Sequence, residues 1–166
     1  MERLLEFSKG MEEIFYEAIK TGDLETVLMF LIVGIDPNIQ YYGQTPLRRA
    51  IIYRQTTIVK LLLGAGAYPN GIQSNSHTPL FYLDSDDPEI VTSLLEAGGD
   101  PNVLSMHGRN PLYYYVYWNY VKAAEILLLA KVDPNDKLIN DKSLLHFAEW
   151  YGNKEMARLL KRYGAK

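Results

Sequence analysis

Apolar positions along this chain gather in short runs that recur at a nearly fixed distance. The segments Glu25 to Ile32, Thr57 to Leu63, Pro88 to Glu96, Lys122 to Ala130 and Lys154 to Arg162 each read as one short helix. Four of them carry adjacent leucines, Leu61-Leu62, Leu94-Leu95, Leu127-Leu128 and Leu159-Leu160, expected to pack toward neighbouring units. Gly34, Gly66, Gly98 and Gly164 follow the runs. A residue in the left-handed conformation ends a helix at such places, and glycine adopts it without a Cβ penalty. Lys131 stands there after the fourth run. Local strain or a different helix ending is expected at that point.

Two polar marks keep the same period. Asp36-Pro37-Asn38, Tyr68-Pro69-Asn70, Asp100-Pro101-Asn102 and Asp133-Pro134-Asn135 place their prolines 32, 32 and 33 residues apart. Thr45-Pro46-Leu47, Thr78-Pro79-Leu80, Asn110-Pro111-Leu112 and the degraded Ser143-Leu144-Leu145 follow at steps of 33, 32 and 33. Thr45 fits a helix N-cap, with Pro46 at the first helical position, where a missing N–H costs nothing. Thr78-Pro79 and Asn110-Pro111 are expected to repeat that device.

Thr-Pro-Leu opening one helix, Leu-Leu in a second, then Gly-Ala or Gly-Asp before Pro-Asn, resembles the ankyrin repeat. Thr45-Pro46-Leu47-Arg48-Arg49-Ala50 carries the likeness best, and His146 with Ala148 supplies another part of the signature. It covers roughly Met11 to Lys166. The resemblance implies an all-α fold, an ankyrin-repeat solenoid of about five helix–turn–helix units with short β-turn or hairpin fingers. It also implies a hydrogen-bonding structural role for His146. Residues 1–166 then form a single ankyrin-repeat domain, with units near 11–39, 40–72, 73–104, 105–137 and 138–166 and residues 1–10 as an N-terminal extension, either an extra helical turn or a tail. Unit one lacks a Thr-Pro-Leu mark and unit five ends on a basic helix, so both suit capping positions. Unit three is a residue short around Asp84-Ser85-Asp86-Asp87-Pro88. Its first helix should be short, with Asp87 capping the second.

A scaffold does not specify a function; the groups displayed on it do. In ankyrin arrays, the resemblance implies, partners touch the finger tips and the exposed ends of the first helices. The phase of the marks assigns Tyr41 and Tyr42, His77, and His107 with Arg109 to the fingers. Tyr53, Asp86, Tyr117, Trp118, Trp150 and Tyr151 fall at helix ends. Binding should centre on Tyr53, Asp86, Trp118 and Tyr151. Tyr and Trp combine a large contact area with a polar tip, which suits interface hot spots. Tyr113, Tyr114 and Tyr115 read instead as core filler. The stretch holding Asp84, Asp86, Asp87 and Glu89 is a solvated turn with a helix cap on one reading. On another it is a negative centre that steers a basic partner segment.

Composition narrows the partner. A net charge of −3 and a pI near 5.6 disfavour nucleic acid. The absence of cysteine removes disulfides and thiolate metal sites and fits a reducing compartment. The N-terminal residues do not read as a signal peptide, and the most apolar stretch, Thr26 to Ile35, is too short to span a membrane. A cytoplasmic, intracellular monomer is expected, or delivery into a host cell if the protein is an effector. No phosphate loop, nucleophile elbow or metal-ligand spacing occurs, so no catalytic, cofactor or metal residues are assigned. The favoured function is non-catalytic protein binding that inhibits or sequesters a partner through a concave groove and fingers. The alternatives are a bacterial or viral ankyrin effector, an immunity-type inhibitor of a toxin enzyme, and a kinase inhibitor similar to the short ankyrin inhibitors of cyclin-dependent kinases. A self-assembling structural protein and an enzyme on a repeat scaffold stand further off.

Overall fold

The computed structural model describes residues 2–71, 78–135 and 142–166, with side chains described from Gly10 onward. The chain forms two compact units, Met1–Pro69 and Asn70–Lys166. The first contains α1 (Glu2–Thr21), α2 (Leu24–Ile32), α3 (Pro46–Ile52) and α4 (Thr56–Gly64). The second opens with a single 3₁₀ turn (Pro79–Phe81) and continues through α5 (Pro88–Glu96), α6 (Pro111–Tyr117), α7 (Val121–Leu129), α8 (Leu144–Trp150) and α9 (Lys154–Arg162). Residues 2–10 are the first turns of α1, so the N-terminal extension is helical and continuous with the first unit's helix. The expected second helices agree with α2, α4, α5, α7 and α9 to within a residue at either end.

After α1, the first helix of each pair has seven residues or fewer, and the second has nine. Such short helices owe their stability to end capping and burial more than to propensity. Thr45, Asn110 and Ser143 accept the amide three residues on, from Arg48, Tyr113 and His146 respectively. Thr78 departs from this expected device. The Phe81 amide, which its hydroxyl would need, already donates to the Thr78 carbonyl at 3.0 Å to close the 3₁₀ turn. Thr78 Oγ1 is left buried without a partner among the described residues. The expected shortening of this first helix is borne out, and Asp87 caps α5 through the Glu89 and Ile90 amides with Pro88 in the first position.

Helix ends follow one rule. Val132 donates to the Leu127 carbonyl as Ala67 does to Leu62, Gly99 to Leu94 and Ala165 to Leu160. The residue before each donor is left-handed: Gly66, Gly98 and Gly164 at φ near +90°, and Lys131 at +65°. The fourth repeat therefore keeps the common ending, with a β-carbon where the others have none. First helices end likewise at Gly22, Arg54, Asn119 and Gly152. Gly22 has a second reason to lack a side chain. The Gln55 amide, donating to the Lys20 carbonyl, lies 2.7 Å from where a Cβ would stand.

Inside each unit the asparagine of the Asp-Pro-Asn mark ties one repeat to the next. Asn38 Nδ2 donates to the Gly66 carbonyl at 3.0 Å while its Oδ1 accepts from the Tyr68 amide at 2.8 Å. Asn70 does the same with Gly98 and Asp100, and Asn135 accepts from Lys166. Asp36, Asp100 and Asp133 each accept the amide two residues on, which holds that asparagine in place. Apolar burial fills the space between. Phe15, Ile19, Val27, Leu47 and Leu62 form the core of the first unit, and Leu80, Leu94, Leu112, Leu127 and Leu160 that of the second.

Two tyrosines enter these cores by their hydroxyls. Tyr115 donates to the Leu80 carbonyl at 2.8 Å, and Tyr16 shares its proton between the carbonyls of Ile39 and Gln44 at 2.8 and 2.6 Å. Burial pushes both phenols well above their usual range. A raised folded-state value means that the stability is complete below the unfolded value of about 10 and is lost as pH climbs past it. In an alkaline titration followed at about 295 nm, Tyr16 and Tyr115 should ionise only as the fold opens, after the exposed tyrosines. A single smooth transition with no loss of helicity would contradict this. Replacing Lys131 with glycine should raise unfolding stability by about 1 kcal/mol, because a left-handed non-glycine residue costs roughly that amount; urea denaturation measures it.

Candidate functional site

The fourth repeat builds a concavity from residues close in sequence. Its finger is a turn over Ser105 to Gly108, in which the Ser105 amide donates to the Arg109 carbonyl at 2.8 Å and the Gly108 amide to Ser105. The Ser105 hydroxyl accepts from the Tyr114 hydroxyl at 3.0 Å and so fastens finger to helix. Between them lies a cavity of about 600 Å³ lined by His107, Arg109, Tyr113, Tyr114, Tyr117 and Trp118. That size lies within the range of ligand-accepting clefts. Arg109 lays its guanidinium over the Tyr113 ring at 5.3 Å from the centroid.

Aromatic contacts continue from the cavity onto the fifth repeat. Tyr117 packs edge-on to Trp118 at 5.0 Å and stacks on Phe147 at 5.5 Å. Phe147 leans on Tyr151 at 4.5 Å. His146 lies over Trp150, and the Lys142 ammonium sits 5.1 Å from that indole's centroid. Trp118 is 60% exposed and Trp150 73%. The His146 ring therefore faces solvent against Trp150. Among the described residues His146 meets the Ser143 cap through its backbone amide, and no ring hydrogen bond fills the structural role expected from the repeat signature.

Four of the expected residues, His107, Arg109, Tyr117 and Trp118, thus meet around one cavity. Trp150 and Tyr151 lie on the neighbouring α8 and its C-cap. Tyr113 and Tyr114, read as core filler, line the cavity; Tyr115 is core. The signal was helical spacing. Tyr113 with Tyr117, and Tyr114 with Trp118, are four residues apart and share a helix face, whereas Tyr115 points elsewhere. Phe147, which bridges Tyr117 and Tyr151, carried no mark in the repeat phase.

The first unit holds Tyr41, Tyr42 and Tyr53. Tyr41 and Gln44 exchange backbone hydrogen bonds across a two-residue hairpin, with Tyr42 at φ +50° and Gly43 at +69°. Such a turn favours Asn-Gly; tyrosine in its first central position is strained and stands 88% exposed. Tyr53, the C-cap of α3, lies under the Arg49 guanidinium at 5.4 Å. His77 lies outside the described residues.

Asp86, expected at the partner surface, also has a structural task within the fold. Its carboxylate accepts from the amides of Lys122 and Ala123 at 3.1 and 2.8 Å, so it caps α7, a helix of the following repeat. Tyr120, the residue in the N-cap position, makes no side-chain cap bond there. The charge is held against a helix N-terminus, which favours a carboxylate. Among the described residues no group of three or more His, Asp or Glu side chains is placed to hold a metal. No described helix is long and apolar enough to cross a membrane.

Comparison with known proteins agrees with this architecture. A family model for ankyrin repeats (three copies) matches residues 2–73 and 81–166. The ARF GTPase-activating protein Git of Drosophila melanogaster is 39% identical over 69 residues, covering 39% of this chain and 9% of that protein. Human ARF GTPase-activating protein GIT1 is 34% identical over 77 residues, covering 45% of this chain and 10% of its own length. The chain thus spans about a tenth of the length of these curated relatives.

Replacing Asp86 with alanine should cost about 1 kcal/mol of unfolding free energy, the usual loss for a removed helix cap. Asp86→Asn, which keeps an acceptor oxygen, should recover much of it. Chemical denaturation gives both values; an Asp86→Ala chain as stable as the parent would contradict the capping role.

Proposed function

Because this chain belongs to the ankyrin-repeat family, whose members typically serve as non-catalytic protein-interaction modules, we propose that it binds a protein partner on the aromatic face of its fourth and fifth repeats, and that binding itself blocks or sequesters that partner. One observation carries the reading. The exposed rings of Tyr117 and Trp118 line a cavity, and Phe147 links Tyr117 to the exposed Tyr151, next in sequence to exposed Trp150, on a single compact unit. Contiguous exposed aromatic surface of this kind marks interaction sites. Matches of about two repeats' length to the ARF GTPase-activating proteins support the scaffold. They do not extend the activity in those names to this chain.

Bait capture of a partner from lysate, followed by a purified titration, tests the proposal. Trp118→Ala should weaken the complex by about 2 kcal/mol, roughly 30-fold, with an unchanged melting temperature. Equal affinity in a folded Trp118→Ala chain would remove this face from the function. Light scattering separates the self-assembly reading, since a mass that grows with concentration would favour it.

A further inference from the structure

We propose that the fifth repeat carries a basic pocket that takes a short acidic segment of a partner protein. A cavity of about 300 Å³ lies between the end of α8 and α9, lined by Glu149, Gly152, Lys154, Ala157, Arg158 and Lys161. None of these residues lines the aromatic cavity of the fourth repeat, so the inference does not depend on what that face binds. Positive charge is concentrated here. The helix α9 carries four cations, Lys154, Arg158, Lys161 and Arg162, whereas α7 carries one and α5 none, in a chain whose net charge is −3. Lys154, Arg158 and Lys161 stand four and three residues apart, which puts them on one helix face. The opposite face, with Met156, Leu159 and Leu160, is buried.

Two of the four cations are already matched. Lys161 pairs with Glu149 at 2.6 Å and Arg162 with Glu125 at 3.2 Å. Lys154 and Arg158 are exposed and make no side-chain hydrogen bond or ion pair among the described residues. The pocket thus sets three cations against one carboxylate. Glu155, the acidic residue in the first turn of α9, lies about 100° round the helix from Lys154 and does not line the pocket. Like charges four residues apart on a helix repel, and Lys154 stands at the end where the helix dipole opposes a cation. An incoming anion relieves both. The spacing points to its chemistry. Lys154 and Arg158 are about 6 Å apart along the helix axis at the usual rise per residue. Side chains two residues apart on an extended segment are separated by about 6.6 Å, so a run of acidic residues can answer each cation with its own carboxylate. Only a short anionic run suits the pocket, because the chain as a whole is acidic and repels a long polyanion.

Fluorescence polarisation with a labelled hexaglutamate peptide, at low salt and on the full chain, tests this. The parent should bind the peptide saturably although the two net charges repel. Lys154→Gln combined with Arg158→Gln should weaken binding by about 10-fold, the loss expected of two exposed ion pairs. Both side chains face solvent, so circular dichroism should show the helices intact. Lys122→Gln combined with Lys131→Gln removes the same charge from exposed positions elsewhere in the unit and should leave the affinity nearly unchanged. Absence of saturable binding to the parent, no loss in the first double variant, or an equal loss in both overturns the pocket. Tighter binding of inorganic phosphate or of a short oligothymidylate than of hexaglutamate overturns the acidic segment as its occupant.

Discussion

A seven-residue helix is mostly ends. Its first amides and last carbonyls lack partners within the helix, and in this chain those groups decide where everything else sits. Thr45, Asn110 and Ser143 close the starts, and left-handed residues close the finishes. The start of α7 lacks its own side-chain cap, and a neighbouring repeat supplies one in Asp86. Within the second unit, satisfying end groups across repeats, with Leu94, Leu127 and Leu160 buried in its core, makes one pair of helices depend on the next.

Marks that act within a few residues were legible. Thr-Pro, Asp-Pro-Asn and the trailing glycines each solve a local backbone problem, and the same solution recurs wherever the problem does. Thr78 shows the limit. The tripeptide is intact, but a turn closed three residues on removes the amide its hydroxyl needs. Lys131 shows another, for the left-handed ending is imposed by the carbonyl of Leu127 whatever residue occupies the site. Asp86 was opaque because its partners lie 36 and 37 residues ahead, and nothing local distinguishes a solvated carboxylate from a borrowed cap. The aromatic cavity stood between these cases. Its helix-end members were visible in the repeat phase, whereas Tyr113 and Tyr114 needed the four-residue spacing to separate them from buried Tyr115.

Strain and display coincide in the first unit's finger. Tyr42 occupies a backbone conformation that asparagine or glycine would take more easily, and its ring is almost wholly exposed. What contact the ring does make is with the finger itself, edge-on to Tyr41 at 4.4 Å between centroids. The finger of the fourth repeat reaches display by another route, with the Ser105 hydroxyl clasped by Tyr114 so that His107 and Arg109 face the cavity.

The asparagine rungs also set a length for folding. Each bridges residues 28 to 31 apart, so completing a rung closes a loop of about one repeat, and the following rung closes another of the same size. Closure entropy grows only with the logarithm of loop length, but equal short loops keep each step small. Within a compact unit, order can then start at any rung and spread to its neighbours, with no single distant contact for the chain to find first.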